Sequence, residues 1–120
     1  MALIDFTDKG LYCPRGGFYI DPWRPVAKAI ITHAHSDHAR AGSDAYLCHR
    51  LTKPLLELRL GPHPIQAVEW GEPVFLNGVR VSLHPAGHII GSSQVRVEYQ
   101  GEVWVVSGDY KTEEDRKSVV

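Results

Sequence analysis

The sequence predicts an α+β domain made mostly of short strands, and three observations carry that prediction. Its 11 glycines and 8 prolines break the 120 residues into short β-like runs. Two dipeptides, Asn77-Gly78 and Gln100-Gly101, each separate a pair of such runs, and Asn-Gly is the strongest short hairpin signal. Against several strands, only one or two helices are expected, one of them over 52–60, and an α/β arrangement is the alternative.

Taken in order, Phe18–Ile20 is a strand that stops at Asp21-Pro22, and 26–32 is a mostly apolar strand, rich enough to be buried on both faces. Ala45–His49 is another. In the helix, Leu55, Leu56, Leu58 and Leu60 mix with Lys53, Glu57 and Arg59, and Gly61-Pro62 stops it. From Val68 onward the pattern is β. Runs 73–76 and 79–84 flank Asn77-Gly78. Val95, Val97 and Tyr99 alternate with Arg96 and Glu98 before Gln100-Gly101 turns the chain into Glu102–Ser107. The last ten residues, KTEEDRKSVV, hold six charges and no core pattern, so a frayed tail is expected there.

Composition excludes several classes. The length fits one domain, and a hydrophobic share of 43% excludes wholesale disorder. With 13 Lys+Arg against 14 Asp+Glu the formal charge is −1, so no basic stripe holds nucleic acid by phosphate neutralisation alone. No apolar run is long enough to span a bilayer. The opening MALIDFTDKG lacks a basic-then-apolar layout, so no signal peptide is expected. Cys13 and Cys48 are too few for a disulfide scaffold and fit a reducing cytoplasm. Seven histidines remain as the oddity, three of them within six residues.

Those three lie in THAHSDH, residues 32–38, directly after an apolar strand. Alternate positions of an extended segment share a side, which groups His33, His35 and Asp37. His38 joins them if the chain turns sharply, and Ser36 and Asp37 are suitable turn residues. Imidazoles with a carboxylate suit Zn²⁺, Mn²⁺ or Fe²⁺ better than Ca²⁺ or Cu⁺. HPAGHIIGSS adds His84 and His88 after a strand, with glycines that permit close backbone approach. His88, on the glycine-flanked loop, is the better ligand candidate, and His84 reads equally well as a strand-end residue. VWVVSGDY presents Asp109 at the exit of a buried strand, where a metal carboxylate is the preferred reading. Three strand ends are thus expected to converge on one site.

HAHSDH, AGHIIGS and SGD, in this order and spacing, resemble the metallo-β-lactamase superfamily. The flanks LIDFTDKGLYCPRGGFYIDPWRPVAKAIITHAHSDHAR, AYLCHR, VEWGEP, GVRVSLHPAGHIIGSSQVRVE and GEVWVVSGDYKTE resemble the bacterial ligase-associated DNA exonucleases, relatives of the β-CASP nucleases. The match covers about residues 3 to 113. The resemblance implies the N-terminal half of an αββα sandwich, a mixed β-sheet with one or two helices. It also implies two divalent metals, zinc with manganese as the alternative. Carried over, His33, His35 and His88 bind one metal, Asp37 and His38 the other, and Asp109 bridges them. Asp37 is the catalytic residue that orients or deprotonates the attacking water, and DNA is the substrate. A DNA ligase and a helicase are the partners implied by family association, in the cytoplasm and with no membrane.

The family pattern continues with an acidic motif, an inserted region and later histidines, whereas no His follows Asp109 here. The expectation is an N-terminal fragment: 1–113 the first part of a metallo-β-lactamase-type domain, 114–120 a charged tail. Such a fragment is expected to be inactive or weak alone and to self-associate through an exposed apolar sheet face. Arg15, Arg24, Arg40 and Arg50 read as ordinary surface arginines, with phosphate guidance as the alternative. Trp23, Trp70 and Trp104 read as core or surface packing residues, with base stacking as the alternative. The competing readings are another hydrolase on the same scaffold, such as a thioesterase or RNA-processing nuclease, and a non-catalytic metal-binding remnant.

Overall fold

The structure, a computed structural model, describes residues 3–32, 42–61, 63–86 and 93–107. Ten strands and one helix are formed: β1 (Asp5–Thr7), β2 (Gly10–Cys13), β3 (Phe18–Ile20), β4 (Lys28–Ile30), β5 (Ala45–His49), α1 (Lys53–Leu60), β6 (Ile65–Val68), β7 (Val74–Leu76), β8 (Val79–Pro85), β9 (Ser93–Tyr99) and β10 (Glu102–Ser107). The α+β class read from the sequence is the class found.

The first six strands form one mixed sheet in chain order. β1, β2 and β3 pair antiparallel, and β3 to β6 run parallel. Parallel neighbours need a crossover, and between β5 and β6 that crossover is α1. Pro sits in its first turn, where no intrahelical N–H is needed, and it ends where Gly61 takes φ 75° and donates to Glu57 O at 2.8 Å. The last four strands form an antiparallel meander, in the order β10-β9-β8-β7. Its two tight turns are Asn77-Gly78, with φ 53° and 85°, and Gln100-Gly101, with φ 50° and 83°. Two successive positive φ values match the right-handed twist of the flanking strands.

Strand alternation decides the layers. In the first sheet the register aligns Leu11, Ile20, Ile30 and Leu47 in one row. In the second, Val81 faces Val97 and Leu83 faces Val95. These two inner faces pack on each other in one buried cluster. The opposite row of the first sheet, Tyr12, Tyr19, Ala29, Tyr46 and Ile65, is its outer face. There Leu56 of α1 packs with Ala29, Ile31, Tyr46 and Cys48 in a second cluster. The layers are therefore helix, sheet, sheet.

The apolar sheet surface expected to be open is, on the inner faces, buried between the two sheets. On the outside of the second sheet Phe75 is exposed, beside a charged group in which Glu98 accepts from Arg80 (2.6 Å) and Arg96 (3.0 Å). No helix among the described residues is long and apolar enough to cross a membrane.

Candidate metal centre

The described residues that flank three motif segments lie together at one edge of the fold. β4 ends at Ile30, and Ile31 still bonds Leu47 O through its N–H (2.9 Å) before Thr32. The first residue of β9, Ser93, donates its N–H to Thr32 O at 2.8 Å, tying one sheet to the other. Ser93 pairs with Pro85, the end of β8, and Gln94 pairs with Ser107, the end of β10. Thr32, Pro85, Ser93 and Ser107, the described residues at or next to the ends of these stretches, are thus neighbours. The stretches carry His33, His35, Asp37 and His38; Asp109; and His88. All six predicted ligands lie outside the described residues. What the structure brings together is the residues flanking all three motifs. Among the described residues alone, no three His, Cys, Asp or Glu side chains gather as a metal site.

His84, the other candidate of its motif, is described. It is half-buried on the outer face of β8, with Nε2 2.9 Å from Ser82 Oγ. Alternation on β8 puts Val81 and Leu83 inward, so His84 faces away from the inter-sheet core.

Sequence reasoning took Asp21 only as part of a strand stop, and the structure gives it a larger part. Asp21 is 1% exposed and holds φ 47°, a left-handed conformation that Asp tolerates better than most residues. Its N–H donates to Ile30 O at 2.8 Å. Its Oδ1 accepts the Thr32 N–H at 2.9 Å, and its Oδ2 accepts the Thr32 hydroxyl at 2.6 Å. Hydrogen bonds to a buried carboxylate are the strong kind. Asp21, Thr32 and Ser93 therefore form a buried polar strut beneath the edge, fixing the residue that immediately precedes His33. The available signal was Ile20-Asp21-Pro22, an acid held between a strand-ending apolar residue and a proline.

His49, at the end of β5, is a second residue the motif reading passed over. It is fully buried, and its ring stacks on Trp70 with centroids 3.5 Å apart and planes 11° from parallel. Nδ1 accepts the Leu51 N–H at 3.1 Å, which leaves the proton of the neutral ring on Nε2. Nε2 finds no hydrogen-bond partner among the described residues. Burial pushes the His49 pKa down; nearby Glu69 opposes that shift and Arg50 adds to it. The cysteines are free and buried, and burial pushes the Cys48 thiol up to about 12, far from a reactive thiolate.

The fold is that of solved metallo-β-lactamases, on which the chain superposes. The subclass B3 metallo-β-lactamase BJP-1 of Bradyrhizobium japonicum superposes with a TM-score of 0.53 at 19% identity, over 86% of this chain and 53% of that one. A protein of unknown function from Enterococcus faecalis gives a TM-score of 0.61 at 17% identity, over 68% of this chain and 24% of that one. By sequence, the chain is 37% identical over 113 residues to a probable DNA ligase of Opitutus terrae, covering 91% of this chain and 11% of that protein. It is also 28% identical over 95 residues to an endoribonuclease of Gibberella zeae, covering 77% of this chain and 11% of that protein. The chain thus spans about a tenth of the length of these curated relatives. No family model matches it.

Proposed function

We propose that the chain carries the principal metal-binding part of a metal-dependent nuclease domain acting on DNA, of the ligase-associated exonuclease type. The observation that supports this reading is the single edge at which the described residues flanking all three motifs meet, braced by the Asp21–Thr32–Ser93 strut. The donor set in those segments, imidazoles with carboxylates, fits divalent zinc, with manganese as the alternative. His33, His35 and His88 would hold one ion, Asp37 and His38 the other, with Asp109 between them. Divalent ions held there would supply an acidified water and charge neutralisation at phosphate oxygens. Asp37 then orients the attacking water or takes its proton at a carboxylate oxygen, while Asp21 keeps the backbone at Thr32 from drifting. Phosphodiester hydrolysis asks for little beyond such positioning and charge stabilisation.

Likeness to proteins named as a DNA ligase and as an endoribonuclease supports a nucleic-acid substrate over a thioester or a lactam. The ligase name supports DNA and a DNA ligase as an associated protein, while a helicase rests on the sequence resemblance alone. The free, buried thiols support a reducing compartment such as the cytoplasm. Residues 1–113 would supply the first part of the domain, with the remainder of the active protein completing the site.

The test measures zinc and manganese binding by calorimetry. Turnover of single-stranded DNA and of a thioester is assayed in parallel with each metal. A site lost in the double variant His33→Ala/His35→Ala, with any turnover confined to DNA, is expected. No metal site, or turnover of the thioester alone, overturns the proposal.

A further inference from the structure

The geometry points to a nucleotide platform at the rim of this edge: we propose that Trp23 and Arg24 hold a single-stranded nucleic-acid segment, a base on the indole and a phosphate on the guanidinium. The identity of the ligand rests on the nuclease reading above, whereas the surface itself rests on described residues alone.

Of the three tryptophans, two are committed elsewhere. Trp70 stacks on His49, and Trp104 is half-buried against the inter-sheet core with its indole N–H bonded to Glu102. Trp23 is 40% exposed. Of the described arginines besides Arg24, Arg59 is exposed on α1, away from this edge, and the other four have partners. Arg50 pairs with Glu69 at 2.7 Å, Arg80 and Arg96 share Glu98, and Arg15 lies 4.7 Å from the Tyr99 ring centroid. Arg24 is exposed and has no carboxylate partner among the described residues; its Nε reaches only the Asp8 carbonyl, at 3.4 Å.

The pair is held in place rather than dangling. The Trp23 N–H donates to Lys9 O (3.0 Å), and the indole N–H donates to Asp8 O (2.8 Å). Both acceptors lie in the turn between β1 and β2. That turn is pressed against 21–22, since a Cβ on Gly10 (φ 134°) would meet Pro22 Cα at 3.0 Å. The polar edge of the indole is thus occupied, its orientation is fixed before any ligand arrives, and part of the ring is open to solvent. Fixing the ring in advance removes much of the ordering cost of binding.

The location matches the site. Trp23 is two residues beyond Asp21, whose carboxylate holds Thr32, and Thr32 precedes the first motif segment. A strand entering that edge would pass the indole. Lys9 adds a second exposed cation on the same turn and Asp8 an exposed acid beside it. With Asp8 offsetting one of the two cations, affinity has to come mainly from stacking, which tolerates any base.

The test is binding of a short dye-labelled oligothymidine to the chain, followed by fluorescence polarisation in EDTA so that hydrolysis plays no part. Trp23→Ala is expected to weaken binding by about tenfold or more, the usual size of a lost base–aromatic stack. Trp23→Phe keeps a ring and is expected to restore most of it. Arg24→Ala is expected to weaken binding and flatten its salt dependence. Equal affinity in wild type and Trp23→Ala, or no binding by the wild type, overturns the platform. If Trp23→Ala fails to fold by circular dichroism, the unaltered chain is photocrosslinked to a bromodeoxyuridine oligonucleotide. Adducts on the peptide holding Trp23 support the platform, and adducts only elsewhere overturn it. Binding that depends on Trp23 in a chain that holds neither zinc nor manganese keeps the platform and sinks the nuclease reading. Hydrolysis by Trp23→Ala at unchanged KM does the reverse.

Discussion

Asp21 concentrates the polar interactions of the edge in one buried carboxylate. Truncation to Ala removes the acceptor for both Thr32 donors while leaving those donors buried, and each unmet buried donor costs about 1–3 kcal/mol. Asp21→Ala is expected to lose about 3 kcal/mol of unfolding free energy in urea. Asp21→Asn should lose clearly less, because its Oδ1 still accepts the Thr32 N–H and the Thr32 hydroxyl can turn to accept from Nδ2. Equal stabilities for Asp21→Ala and wild type would contradict the strut. His49 supports a pH prediction. Its folded pKa lies below the ordinary value of 6.5 because burial disfavours the charged ring, and protonation of Nδ1 would also forfeit the Leu51 bond. The unfolded chain therefore binds a proton first as pH falls below about 6.5. The stability His49 confers is full above that pH and declines on the acid side. His49→Phe, which keeps a ring on Trp70, is expected to flatten this part of the stability curve between pH 7 and pH 5, read from denaturation midpoints. Parallel curves for the two proteins would exclude His49 as the source.

At the scale of elements, legibility in the sequence followed the range of the interactions. The β7–β8 and β9–β10 hairpins were readable because their turns carry the conformational demand locally, in Asn77-Gly78 and Gln100-Gly101. The helix was readable from its leucines and its Gly61 stop, with the start at Lys53 against an expected 52. β1, β2 and β6 were not readable. They are three or four residues long, too short for a period to show, and β6 exists by parallel pairing with β5, a partner no local pattern announces. The run 26–32 was expected to be one strand, yet only Lys28–Ile30 lies in the ladder. Both ends are claimed by side chains: the Val26 N–H donates to Ser43 Oγ (3.1 Å) and the Thr32 N–H to Asp21. Burial on both faces was correctly anticipated, since Ala29 and Ile31 lie in the helix-side cluster and Ile30 in the inter-sheet cluster. For the site, sequence spacing marked the ligand candidates and the strand ends they follow. The brace under them stayed hidden, because an Asp before a proline looks the same whether it stops a strand or grips a residue eleven positions away.

For the molecule as a whole, the two sheets are joined by apolar packing through the middle and, at the motif edge, by the Ser93–Thr32 backbone bond. Under the proposed ligand set, His33 and His35 follow a strand of the first sheet, whereas His88 and Asp109 follow strands of the second. An ion held by both groups would act as a clamp across the sandwich. Such a clamp binds the folded chain and not the unfolded one, so it stabilises by RT ln(1 + [L]/Kd), about 2.7 kcal/mol at a hundredfold excess over Kd. For a chain of this size that corresponds to roughly 10 °C in Tm. Zinc added to chelator-treated protein is therefore expected to raise Tm by about that amount, and EDTA to reverse the rise. The rise should disappear in His33→Ala/His35→Ala, which removes ligands from one side of the clamp, and in His88→Ala, which removes one from the other. Loss in the first variant with full retention in the second would mean the ion is held by the first sheet alone, and the clamp would be wrong even though the chain binds metal. The Asp21→Ala variant adds a control on cause: if the strut positions the ligands, its zinc-dependent rise should shrink as well, beyond the fixed drop in Tm that the lost hydrogen bonds impose.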